Sequence, residues 1–297
     1  MQDDAPLNPD SLLHRAMRFR EFGEFDAAKD ALLKVVEMNP SSAKAWFLLG
    51  EVYEDLDKLD KARECYTMAS SKDTEWIDPL AYLGKLEFSQ KKYKDAITTL
   101  KQYTELGGND ISILLILARS AFEIEDCKSV ISVTSQITEI NEDIYEVWEL
   151  RGLCHARMAN FSAALVCLNM ALDLDPRSVT ALNAVGDLCY ESGNYEGAVS
   201  FYSPSVTKRK NQPKVLFRLG TALWFLDQWS NAILYLEQYT KLAPDDANGW
   251  NNLGVALREK GEVTRSMECY KRALHLNPNL EITKKNMNTA MNKEVIL

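Results

Sequence analysis

Residues 249–278 read GWNNLGVALREKGEVTRSMECYKRALHLNP, and residues 45–69 read AWFLLGEVYEDLDKLDKARECYTMA. Laid over one another, the two stretches match Trp46 with Trp250, Gly50 with Gly254, Cys65 with Cys269 and Tyr66 with Tyr270. The offset is six steps of 34 residues, and a 34-residue shift aligns the rest of the chain with itself without an insertion. A small-residue column runs Ala16, Gly50, Gly84, Ala118, Gly152, Gly186, Gly220, Gly254. Twelve positions on, a second column runs Ala28, Ala62, Ala96, Val130, Ala164, Ala198, Ala232, Ser266. Four further on stand Leu32, Tyr66, Leu100, Thr134, Leu168, Tyr202, Leu236 and Tyr270. Proline closes several units, at Pro40, Pro176, Pro244 and Pro278.

These columns describe two packed helices per unit. Trp46, Leu49, Gly50 and Tyr53 keep the i, i+3, i+4, i+7 spacing of one helical face. A turn interrupts the pattern near Asp57, and Gly193 and Gly261 occupy the same slot. Proline prevents the second helix from running on. Small residues let the helices approach, and the large residue one turn later fills the seam. Each unit leaves one face bare, so only stacking makes a continuous core.

The expected architecture is therefore all-α. It comprises an N-terminal tail over 1–8, eight units (9–42, 43–76, 77–110, 111–144, 145–178, 179–212, 213–246, 247–280) and a capping helix with a tail over 281–297. Unit 111–144 is the weakest, with no glycine and Val130 in the alanine column. Pro204 is expected to kink or shorten the second helix of its unit.

Composition narrows the function classes. A net charge of -9 argues against nucleic acid as a ligand, since phosphate binding needs clustered Lys and Arg. No apolar run is long enough to span a membrane. The opening MQDDAPLNPD is polar and acidic, unlike a secretory leader, so a cytoplasmic protein is expected. The six cysteines form no CxxC pair, and Cys65, Cys167 and Cys269 sit three repeats apart, too far to bridge. His14, His155 and His275 are scattered, and no HExxH, Walker loop or nucleophile elbow occurs. No catalytic residue, metal or cofactor is expected, and the chain is read as a non-enzyme.

The pattern resembles the tetratricopeptide repeat family, whose 34-residue helix-turn-helix units it follows over residues 9–280. The resemblance implies a right-handed superhelical solenoid that binds a peptide or protein on a concave surface lined by the first helix of each unit. Across that surface carboxylates outnumber cations. The seventh unit departs from this, placing Lys214, Phe217, Thr221, Trp224 and Phe225 there with Arg218 at the rim. Three large aromatics exposed together ask for cover, and Trp and Arg are common interface anchors. Asn183, Asn248, Asn251 and Asn252 lie alongside and offer amide donors and acceptors for an extended backbone.

Residues 208–218, KRKNQPKVLFR, carry five cations and no acid. Lys208, Arg209 and Lys210 suit a helix C-terminus, whereas Lys214 and Arg218 start a helix and are read as ligand contacts. These two match the spacing of the last members of the family's clamp for chaperone-tail carboxylates. The earlier positions hold Glu149, Leu153 and Ala184, so chaperone binding is not assigned. An acidic-aromatic segment of a partner protein is the expected ligand. The alternative is self-association, with the groove filled by a second copy or by the tail ending Val295-Ile296-Leu297. Phe88, Phe122 and Tyr190 are read as packing between neighbouring first helices.

Overall fold

The computed structural model describes residues 8–294, so the tail ending Val295-Ile296-Leu297 lies outside the described residues. All regular structure among the described residues is helical, and the chain divides into two compact units, Met1–Glu142 and Asp143–Leu297.

The first unit holds α1 (Pro9–Glu21), α2 (Phe25–Met38), α3 (Ala43–Asp55), α4 (Leu59–Lys72), α5 (Asp78–Ser89), α6 (Tyr93–Glu105), α7 (Ile111–Glu123) and α8 (Cys127–Ile140). The second holds α9 (Tyr145–Arg157), α10 (Phe161–Leu174), α11 (Val179–Glu191), α12 (Tyr195–Lys208), α13 (Pro213–Phe225), α14 (Trp229–Leu242), α15 (Ala247–Glu259), α16 (Val263–Leu276) and α17 (Glu281–Glu294). In each unit, odd-numbered helices pack on the even helix that follows, and each even helix packs on the next odd one. This makes an all-α repeat solenoid within each unit.

The seam has the construction that the columns imply. Every member of the column from Ala28 to Ser266 is fully buried, as are Tyr66, Tyr202 and Tyr270. At Gly50 an added Cβ would stand 2.6 Å from the Tyr66 ring, and at Gly220 it would stand 2.6 Å from Leu236 Cγ. Glycine there is a packing requirement: a side chain would push the helices of the pair apart.

The turn inside each pair is equally regular. Gly23, Gly193 and Gly261 adopt positive φ, and so do Asp57, Lys91, Glu125, Ala159 and Asp227. These eight positions are 34 residues apart, and five of them hold a side chain in a conformation that glycine tolerates better. Several odd helices start on a side-chain cap, as where Ser42 Oγ accepts from Ala45 N and Ser178 Oγ from Ala181 N.

The shortening expected at Pro204 does not occur. α12 runs through Pro204 for 14 residues, the same length as α2, α4 and α10, so the proline does not shorten it. Its packing against α11 and α13 holds the helix across the missing donor.

Candidate protein-interaction site

The odd helices of the second unit carry the residues that the sequence singles out, and their side chains sort into three groups. The first is an ion cluster. Lys214 Nζ lies 2.7 Å from Asp187 Oδ2, and Arg218 reaches Asp187 Oδ1 at 2.8 Å and Glu191 Oε1 at 3.0 Å. Tyr202 donates to the same Asp187 at 2.5 Å, and the Arg218 guanidinium covers the Tyr190 ring at 5.2 Å from its centroid. Burial works against the Arg218 charge. Tyr202, Asp187 and Glu191 more than offset it and hold the pKa above the ordinary arginine value. Both cations are thus matched inside the chain. Lys214 keeps two thirds of its side chain in solvent, at 66%, while Arg218 keeps 19%. Lys208, at the end of α12, instead donates to the Arg177 carbonyl at 2.6 Å.

The second group is structural amide chemistry. Asn183 Nδ2 donates to Gln212 Oε1 at 2.7 Å, and Asn183 Oδ1 accepts from Ser205 Oγ at 2.5 Å. Gln212 Nε2 in turn donates to the Ser205 and Arg209 carbonyls. Asn183 therefore ties α11 and α12 to the segment that starts α13. Asn251 is buried, and its Oδ1 accepts from Thr283 Oγ1 at 2.9 Å and Asn286 Nδ2 at 3.0 Å. Those bonds seat α17 on α15. Asn248 is exposed and follows the Asp246 cap, which accepts from its backbone N at 3.1 Å.

The third group surrounds a cavity of about 350 Å³. Its walls are Thr221, Trp224 and Phe225 of α13, Leu236 of α14, Asn251, Asn252, Val255 and Arg258 of α15, and Ile282 and Asn286 of α17. Phe225 is 48% exposed and stacks flat on Tyr195 at 4.2 Å, with Trp224 set edge-on to it at 4.8 Å. Phe217 and Trp224 are half-buried, and Phe217 packs on Tyr239 at 5.1 Å. The three aromatics are therefore not exposed together: Phe225 stands out, and the other two are partly covered by the core. The Trp224 Nε1–H is shielded from solvent and has no hydrogen-bond partner among the described residues. Asn252 Nδ2 makes one long bond, 3.4 Å, to Thr221 Oγ1. Arg258 is neutralised by its neighbour Glu259 at 2.5 Å.

Thr221, Trp224, Phe225, Asn251 and Asn252 thus converge on one cavity, while Asn183, Lys214, Phe217, Arg218 and Asn248 stand outside its lining. The sequence reading missed Val255, Arg258, Ile282 and Asn286. A signal for each existed, since 34-residue steps lead from Thr221 to Val255, from Trp224 to Arg258, from Asn248 to Ile282 and from Asn252 to Asn286. α17 continues the series of odd helices and supplies a wall of the site.

In the first unit a larger cleft, about 680 Å³, lies between α2 and α4 over α3, with Lys61, Glu64 and Thr67 on its walls. It is shallower, and its rim is charged. The aromatic residues of α3 are satisfied internally: Phe47 packs on Tyr66, Trp76 and Tyr82 at 4.9 to 5.6 Å.

Among the described residues no cluster of side chains suits a metal ion, and no helix is long and apolar enough to cross a membrane. None of the six cysteines is joined in a disulfide.

Comparison with known proteins accords with this architecture. The solved structure of the APC/C hetero-tetramer Cut9-Hcn1 matches over 97% of this chain and 57% of that one, with a TM-score of 0.50 and 16% identity, a likeness of fold. The Drosophila melanogaster BBSome complex member BBS4 homolog is 28% identical over 153 residues, covering 50% of this chain and 32% of that protein. Human protein O-mannosyl-transferase TMTC1 is 23% identical over 241 residues, covering 80% of this chain and 24% of that protein. Human tetratricopeptide repeat protein 7A is 20% identical over 318 aligned residues, covering 93% and 37%. The chain thus spans well under half the length of these relatives. Residues 13–72, 149–213 and 217–281 match the tetratricopeptide repeat model. With more than half of its residues in those three stretches, the chain belongs to the tetratricopeptide repeat family.

Proposed function

We propose that this chain is a non-catalytic scaffold that grips a peptide segment of a partner protein on the odd-helix face of its second unit. The observation that carries this reading is the cavity bounded by α13, α14, α15 and α17, lined by the apolar side chains of Trp224, Phe225, Leu236, Val255 and Ile282 together with the amides of Asn251, Asn252 and Asn286. Its volume, about 350 Å³, falls within the range of small-ligand sites and accommodates a large side chain. An aromatic or aliphatic residue of the segment enters between Trp224, Phe225 and Ile282. Asn252 and Asn286 are placed for its backbone amides, and the unpaired Trp224 Nε1–H offers a donor for a carbonyl.

The acidic half of the expected segment has less support than the aromatic half, because Asp187 and Glu191 already occupy Arg218. A ligand carboxylate gains most at Lys214, the more exposed cation, where it competes with Asp187. The family membership and the relatives that are named as complex members favour protein binding over catalysis. The transferase among the relatives shares 24% of its length with this chain, and its activity is not carried over. A cytoplasmic setting fits six cysteines held outside disulfides, the state that reducing compartments maintain.

Selection of a random-peptide library on wild type and on Trp224→Ala tests the reading. Wild type is expected to enrich segments with a recurrent large apolar residue, and the variant is expected to lose them. Equal enrichment on both proteins contradicts the site.

A further inference from the structure

The even helices turn one face to solvent, and one of them breaks the chemistry of that face. Where α10 has Val166, α14 has the exposed Leu234, and other repeats have the exposed residues Asp30, Glu64, Ser200 and Glu268. Where α10 has Met170, others have the exposed residues Lys34, Gln102 and Arg272. Val166 is 63% exposed and Met170 39%, and Leu174, one turn further along the same face, extends the stripe at 38%. Asp173 is the one formal charge in α10, whereas every other even helix carries at least two. The inner face of α10 is already committed, with Ala164, Leu168 and Ala171 fully buried against the neighbouring helices. A helix apolar on both faces belongs in an interior, so this one lacks a cover.

We propose that the outer face of α10 is a self-association surface on which a second copy of this chain lays its own α10, antiparallel. Charge selects this occupant. With a net charge of -9, two copies repel over most of their surfaces, and a face bearing one carboxylate lets them approach. A two-fold pairing that sets Val166 of one copy against Met170 of the other carries each Asp173 to the first turn of the facing helix. That turn holds no acidic residue and presents the positive end of the helix dipole. A parallel pairing would instead bring the two Asp173 carboxylates together. No Lys or Arg flanks the stripe within α10, which disfavours an anionic membrane surface as its cover.

The stripe also sets the strength of association. A helix of 14 residues is about 21 Å long, and one seam of that length covers less than the ~800 Å² per partner of a stable complex. The dimer is therefore weak, reversible and concentration-dependent.

Sedimentation equilibrium of the full chain over a concentration series tests this, with thermal melting as a check on folding. Wild type is expected to show a monomer–dimer equilibrium. Val166→Asp with Met170→Asp is expected to weaken it by more than about tenfold. Val166→Ser with Met170→Gln uses residue types found at these positions in other repeats, and it should weaken the dimer without risk to the fold. Leu234→Asp, an exposed apolar residue two repeats away, should leave it unchanged. A wild type that stays monomeric throughout overturns the proposal and leaves the stripe to a helix of another protein. A dimer that survives either double substitution, or that Leu234→Asp weakens equally, overturns it as well.

Discussion

α3 and α13 occupy the same place in their repeats, five steps of 34 apart, and their outward faces are finished in opposite ways. On α3, Glu54 accepts from the Tyr66 hydroxyl, while Asp55 and Glu51 hold Arg20 of α1 at 2.5 and 2.9 Å. Phe47, on the same face, is enclosed by Tyr66, Trp76 and Tyr82. On α13 the positions of Glu54 and Asp55 are taken by Trp224 and Phe225, and a cavity opens beside them. An identical backbone plan thus yields a surface filled by its own contacts on α3 and one with a cavity beside it on α13. The difference comes from two side chains and the helix that follows.

The largest effect that separates them concerns binding. Trp224→Ala should reduce affinity for a selected peptide by about 2 kcal/mol or more, measured by calorimetry. Glu54→Ala should leave that affinity unchanged while lowering stability, because the buried Tyr66 hydroxyl loses its acceptor. Next, Asn251→Ala removes the acceptor for Thr283 and Asn286 and should cost about 1–3 kcal/mol in urea unfolding, with α17 loosened first.

Smaller effects sharpen the contrast between the ion clusters. Arg218→Met should cost about 1–2 kcal/mol of stability, because a shielded guanidinium joins two carboxylates. Lys214→Met should cost less than about 0.5 kcal/mol, since its ammonium is mostly solvated. Finally, Ala159→Gly should stabilise the chain by about 0.5–1 kcal/mol, because φ there is 57° and glycine relieves the strained turn. At Gly193, which already has the favoured residue, substitution by Ala should reverse the sign.

How much of this was legible depends on the distance over which each feature is decided. The repeat, its seam and its turn are set within one unit, so columns such as Gly50 with Tyr66 could be read without coordinates. The convergence of Thr221, Trp224 and Phe225 was legible because all three lie on one helical face. Asn183 and Asn251 were read as free amides, yet their partners lie 22 to 35 residues away and were chosen by the packing of successive helices. Lys214 and Arg218 looked unmatched in the string because Asp187 and Glu191 sit 27 residues earlier. Ile282 was hidden by the polar composition of α17, although the 34-residue register leads to it.

The most direct test follows the indole Nε1–H of Trp224 and the methyl groups of Val255 and Ile282 by nuclear magnetic resonance while a library-selected peptide is added. Saturable shifts at all three probes, with residues of α3 unaffected, are expected. A bound peptide that leaves all three unmoved, or that perturbs α3 instead, would contradict the assignment of the site to the second unit.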